Sequence, residues 1–218
     1  MPWYRRMFAG LLPEGVITAW GDPREPSPPL LPAEEALVAR AVPKRRAEFS
    51  RGRACARSVL STLNVPEFAL LSGPQREPVW PAGIVGSITH TEGLCAVAAA
   101  RDALYIGIGI DAEPALPLDE KLFEYVCLKD ELVTGPDGFD LARRARLIFS
   151  AKEAVYKCQF PLTRRFLEFH EVRVQLHSNS EFSVQVLADV PALAGGACFT
   201  GRFAERDGFL LTASWIRR

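Results

Sequence analysis

Two long stretches free of proline limit what this chain can fold into. Residues 44–63 are rich in Ala, Arg and Leu, all good helix formers. Within them Phe49, Ala56, Val59, Leu60 and Leu63 recur near the helical period. Residues 141–158 read the same way, and Pro161 is expected to end that helix. Short runs of strand type follow each helix. They are residues 84–89, 94–100 and 104–110 after the first, and 172–176, 182–186, 198–203 and 209–215 after the second. Ser178-Asn179-Ser180 and Asp207-Gly208 supply turns between the later runs. A long helix followed by antiparallel strands, twice over, predicts an α+β protein of two pseudo-symmetric halves, each a long helix packed on a small antiparallel sheet. The divide falls near Arg101-Asp102-Ala103, giving halves at 1–103 and 104–218.

Other segments add detail. Residues 22–32 hold five prolines, which excludes a helix interior or a central strand and predicts an extended surface loop. Residues 33–40 are helix-like, residues 118–132 read as largely helical, and Gly135-Pro136-Asp137-Gly138 reads as a loop. Lysine plus arginine equals aspartate plus glutamate, 26 against 26. Bulk charge therefore predicts neither a nucleic-acid partner nor a membrane partner, and local clusters must carry any anion binding. No stretch approaches the roughly 20 apolar residues that span a bilayer, and Gly10 and Pro13 interrupt the apolar N-terminal stretch. The five cysteines are odd in number and form no CxxC pair, which predicts free thiols in a reducing cytosol. A cytoplasmic protein is the expectation.

Three constellations can carry chemistry. The first is Gly107-Ile108-Gly109-Ile110-Asp111-Ala112-Glu113-Pro114. Residues i and i+2 of an extended chain point the same way, so Asp111 and Glu113 project together from a strand end. Two hard oxygen ligands so presented suit Mg²⁺, although alone they also read as a solvated strand end. The second is Phe149-Ser150-Ala151-Lys152-Glu153-Ala154-Val155-Tyr156-Lys157. Here Glu153 and Lys157 are helical neighbours: a surface ion pair, or a third carboxylate for the metal with Lys152 and Lys157 facing phosphate. The third joins Gly86-Ser87-Ile88-Thr89-His90-Thr91 to Arg46, Arg53 and Arg57. The arginine spacing stacks three guanidiniums along one helix face, either solvated or matched to phosphate oxygens.

Taken in order, these elements resemble the phosphopantetheinyl transferases of the two-halved surfactin and siderophore-synthetase type. The resemblance runs through most of the chain. It is carried by Arg45-Arg46-Ala47-Glu48-Phe49 with Gly52-Arg53, by Pro78-Val79-Trp80-Pro81, by Gly86 to His90, by Gly107 to Glu113, and by Lys152 to Lys157. Trp80-Pro81 and Ser87-Ile88-Thr89-His90 look more like the siderophore-type subgroup.

The resemblance implies coenzyme A as donor and a serine of an acyl, aryl or peptidyl carrier protein as acceptor, with the active site between the halves. It implies Mg²⁺, or Mn²⁺ in its stead, held by Asp111, Glu113 and Glu153. It assigns coenzyme A phosphate contacts to Arg45, Arg46, Arg53, Ser87, His90, Lys152 and Lys157, with Asp111 reached through the metal. Arg76 stands where some relatives carry lysines. Glu153 is the first choice of catalytic base and Glu113 the second, and Lys157 steadies the leaving oxygen. The docking rim is expected from Leu116 to Glu131, and two halves in one chain imply a monomer. A coenzyme A-binding module without catalysis and a magnesium-dependent phosphohydrolase are the rival classes.

Overall fold

The computed structural model describes residues 7–133, 139–177, 179–191, 193 and 196–218. Residues 1–6, the expected 135–138 loop and Ser178 lie outside the described residues. The fold is α+β. Strand β1 (Ile17–Gly21) and helices α1 (Pro32–Val38) and α2 (Pro43–Thr62) precede β2 (Ile84–Thr91), β3 (Leu94–Arg101) and β4 (Tyr105–Pro114). After these come α3 (Phe123–Val126), α4 (Leu141–Thr163), β5 (Val172–Leu176), β6 (Glu181–Val186), β7 (Cys198–Arg206) and β8 (Phe209–Arg217).

The strands form two antiparallel sheets, one in the order β1-β3-β2 and one in the order β4-β8-β7-β6-β5. Helix α2 covers the first, burying Cys55, Ala56, Val59 and Leu60 against Val97 and Ala99. Helix α4 covers the second, burying Leu147, Ile148, Ala151 and Val155 against Val174, Phe182 and Val184. Each large side chain so buried stabilises the fold by about 1.5–3 kcal/mol. Strand β3, Leu-Cys-Ala-Val-Ala-Ala-Ala-Arg, is buried over its first seven residues. Its small side chains let layers close on both of its faces.

Edge strands β2 and β4 meet where the sheets adjoin, and hydroxyl side chains bridge them. Ser87 Oγ accepts from the Ile110 amide at 3.1 Å, and Thr89 Oγ1 accepts from the Ala112 amide at 3.3 Å. Gly107 and Gly109 let α4 lie directly on β4. A Cβ on Gly109 would stand 1.8 Å from the Ala154 carbonyl oxygen, and one on Gly107 2.5 Å from that of Cys158.

Some expectations need correction. Residues 118–132 are mostly irregular, with a single turn at Glu120–Leu122 and the four-residue α3. Their backbone is organised instead by the carboxylate of Glu131, described below. Helix α4 does not stop before Pro161 but runs to Thr163, ending at Arg164 in the left-handed region (φ 54°). A proline in the last turn removes only one helical hydrogen bond, which buried Phe160 and Gln159 offset. Strand β1 had no sequence expectation. It is only five residues long, and it is defined by pairing with β3. The five cysteines are free, four buried and Cys198 exposed. No helix among the described residues is long and apolar enough to cross a membrane.

Candidate active site

The junction of β2, β4 and α4 gathers Asp111, Glu113, Glu153 and Lys157 from the charged residues singled out in the sequence. Asp111, on β4, is almost fully buried. One carboxylate oxygen accepts from Lys157 Nζ at 2.6 Å and from Thr89 Oγ1 at 3.0 Å, and the other from Ser150 Oγ at 2.9 Å. Glu113, two residues on, accepts from Arg146 at 2.8 Å. Arg146, Ser150, Glu153 and Lys157 follow the spacing i, i+4, i+7, i+11, so α4 turns one face to the carboxylates of β4. The same spacing gives Ser150 and Arg146 roles that their residue types alone do not announce.

The electrostatics mark this as a crowded anionic site. Burial, then the charge of Asp111, pushes the Glu113 carboxyl up to about 7, against the pull of Arg146 and Lys157. Burial also raises Glu153, with Lys157 opposing and Asp111 adding to the shift. Burial by itself would lower the Lys157 ammonium, but Asp111, Glu153 and Glu113 together outweigh it and the net shift is upward. All three carboxylates therefore act on one cation. Among the described residues no three His, Cys, Asp or Glu side chains already stand as a ligand set for a metal. Lys157 draws on Asp111 and Arg146 draws on Glu113. The donor chemistry nevertheless fits a hard divalent ion: three carboxylates, two of them raised by burial and mutual repulsion, a cost that added positive charge would relieve.

A basic cavity of about 120 Å³ opens beside this cluster, lined by Arg45, Arg53, Ser72, Arg76 and His90. A neighbouring cavity of about 180 Å³ shares Arg76, Pro78 and Ile88 with it and reaches Ser87, Trp80, Tyr156 and Lys157. Arg53 is held rigidly: it donates to the Leu70 carbonyl at 2.6 Å and to Ser72 Oγ at 3.2 Å, and lies 4.0 Å over the Phe49 ring. Burial lowers it to about 10, which still leaves it charged at neutral pH. Arg45 reaches His90 Nε2 at 2.7 Å. The His90 ring is pushed down by burial, with Glu48 opposing and Arg45 and Lys157 adding to the shift. Ser87 is buried and lines the second cavity, while its hydroxyl accepts from the Ile110 amide.

Two expected phosphate contacts stand elsewhere. Arg46 turns away from the cavity to pair with Glu35, and its neighbour along the stripe, Arg57, pairs with Glu34. The acidic first turn of α1 claims both, so the basic face of α2 is Arg45 with Arg53 rather than Arg46, Arg53 and Arg57. Lys152 is 1 % exposed and bonded to Glu131. It lies beneath α4, on the side away from the basic cavity.

The chain matches two family models. Residues 33–100 match the 4′-phosphopantetheinyl transferase N-terminal domain, and residues 107–200 match the 4′-phosphopantetheinyl transferase superfamily. It is 40% identical to the 4′-phosphopantetheinyl transferase Svp of Streptomyces mobaraensis, over 95% of this chain and 88% of that one. It is 39% identical to the 4′-phosphopantetheinyl transferase PptT of Mycobacterium tuberculosis, over 89% and 88%. The enterobactin synthase component D of Salmonella typhimurium matches at 30%, over 78% and 71%, so support for a siderophore-type subgroup is weaker than support for the family.

Proposed function

The chain belongs to the 4′-phosphopantetheinyl transferase superfamily, and on that premise we propose that it carries phosphopantetheine from coenzyme A to a carrier-protein serine with Mg²⁺ bound, releasing adenosine 3′,5′-bisphosphate. The observation that carries this reading is the adjacency of two unlike charge sets, linked by Lys157. Arg45, Arg53, Arg76 and His90 stand on one side, and Lys157 with Asp111, Glu113 and Glu153 on the other. A nucleotide pyrophosphate needs both: cations for its own charge, and carboxylates for its counter-ion.

In this reading residues 1–103 grip the nucleotide and residues 104–218 supply the acids, with the reaction between them. Arg45 and Arg53 take the 3′-phosphate, and their planar forks bind two oxygens at once. Arg76 and His90 close that site, and Ser87 and Lys157 face the pyrophosphate. The carrier serine oxygen forms a bond to the β-phosphorus as the bond from that phosphorus to the bridging oxygen breaks. Alignment and charge neutralisation supply most of the acceleration in such transfers. The Lys157 ammonium, kept charged by its three carboxylate neighbours, stabilises the departing oxygen. Glu153, raised toward neutrality, takes the serine proton, with Glu113 the alternative. Asp111, Glu113 and Glu153 would hold Mg²⁺, which when bound would neutralise pyrophosphate charge. The carrier docks along the rim that includes exposed Leu116 and Leu122.

The test is a mass measurement on intact carrier proteins incubated with the enzyme, coenzyme A and Mg²⁺. A gain of one phosphopantetheine on at least one carrier is expected, and Glu153→Gln should lose it. Release of adenosine bisphosphate with no carrier present would mark a phosphohydrolase instead. No gain on a broad panel would leave only a binding module.

A further inference from the structure

Lys152 stands one residue before Glu153, yet the cleft does not use it. Its ammonium donates to Glu131 Oε2 at 2.8 Å, to the Val126 carbonyl at 2.9 Å and to the Phe169 carbonyl at 2.8 Å. An ammonium has three donors, so all are taken. Glu131, also 1 % exposed, is engaged on both oxygens. Oε2 further accepts from the Leu128 amide at 2.6 Å, and Oε1 accepts from the Val174 amide at 2.6 Å. The Glu131 carbonyl accepts from Arg144 Nε of α4 at 2.9 Å.

These bonds fasten three separate segments to α4: α3 with the loop after it, the turn at Phe169–Glu171, and β5. The segments carry an aromatic wall. Tyr125 meets Phe169 edge-on at 5.6 Å between centroids, and Phe149 of α4 backs Phe169 at 5.5 Å. Tyr125 and Phe166 are largely exposed, at 64 % and 58 %. With Phe169 they line a groove that includes Glu153. One ammonium thus holds the backbone at both ends of the wall while its neighbour in sequence presents the carboxylate. A buried ion pair is often no more stabilising than apolar side chains of similar volume. Three directional bonds from one ammonium to two segments, with β5 joined through Glu131, set a distance, which apolar contact does not.

We propose that Lys152 is a positioning residue for the acceptor side of the reaction: through Glu131 and two carbonyls it fixes the Tyr125–Phe169 wall relative to Glu153, and the carrier protein seats on that wall to bring its serine to the carboxylate. The proposal rests on the transferase reading, because Glu153 must meet the acceptor serine there.

The experiment compares wild type, Lys152→Met and Tyr125→Ala, varying carrier and coenzyme A separately, with amide exchange followed on the first two. Lys152→Met should raise KM for the carrier roughly tenfold or more and leave KM for coenzyme A within about twofold. Exchange should quicken at residues 123–131 and 169–174. Tyr125→Ala leaves the buried pair intact and should raise carrier KM similarly, so the wall is tested even if Lys152→Met does not fold. A rise in coenzyme A KM with carrier KM unmoved in Lys152→Met would make Lys152 a phosphate contact and overturn the proposal. Unchanged carrier KM in Tyr125→Ala would overturn it as well. A wild-type enzyme that modifies no carrier would instead remove the transferase reading beneath it.

Discussion

Lys152 and Lys157 lie five residues apart on the same helix, and the structure treats them in opposite ways. Lys152 is sealed in, every donor is spent on protein acceptors, and burial pulls its ammonium down despite Glu131. Lys157 keeps a quarter of its side chain exposed and faces three carboxylates that carry its ammonium upward. A matched pair with no donor left over serves to hold the protein together. A cation facing three acids, of which only Glu113 has a second cation in Arg146, leaves charge to be balanced by something that arrives from solution. The two lysines look alike in the sequence, and what separates them is which side of α4 each is on.

The contrast can be broken most severely at Lys157. Lys157→Met should lower the single-turnover transfer rate by about 10³-fold. It removes the cation that acts on all three carboxylates and leaves Arg146 on Glu113 alone, so millimolar Mg²⁺ should raise the variant's thermal midpoint. A midpoint indifferent to Mg²⁺ would break the link between these acids and a cation. Lys152→Met strands the Glu131 carboxylate in the interior and should cost about 3 kcal/mol in urea unfolding. Mg²⁺ should restore none of that loss.

Smaller effects test a similar division between two neighbouring arginines of α2: Arg45, on the cavity wall with His90 and Glu48, and Arg46, which faces α1. Arg45→Ala should weaken coenzyme A binding by about tenfold or more in calorimetry, since it removes a charged hydrogen-bond donor from the cavity. Arg46→Ala, which breaks only a partly exposed ion pair with Glu35, should change it less than about threefold. Equal effects would mean that ligand draws Arg46 away from α1.

The smallest signal is protonic. His90 has a folded pKa below its ordinary 6.5, through burial first. A phosphate beside the ring favours the cation, so binding near neutral pH should take up a fraction of a proton, visible as a binding enthalpy that depends on the buffer. In the free protein a depressed pKa means His90's contribution to stability is fully present above 6.5 and is lost as pH falls through the folded value. His90→Gln should abolish the uptake and flatten that acid-side loss.

Much was legible along the chain because periodicity and breakers act locally. The long helices and seven of the eight strands follow from side-chain spacing and turn residues, and Asp111 with Glu113 follows from the two-residue repeat of a strand. The helix expected over residues 118–132 does not form because helix-forming composition there is overruled by Glu131, whose carboxylate binds the nearby Leu128 amide together with the Val174 amide and the Lys152 ammonium from far along the chain. Propensity counts for tenths of a kcal/mol per residue, whereas leaving those buried donors unpaired would cost several times more. Residue order alone specifies which charged groups exist, on what elements, and at what spacing. Which arginine of α2 faces the cavity and which lysine of α4 is sealed depends on the folded arrangement, because partners such as Glu35 and Glu131 reach their cations only once the chain has folded.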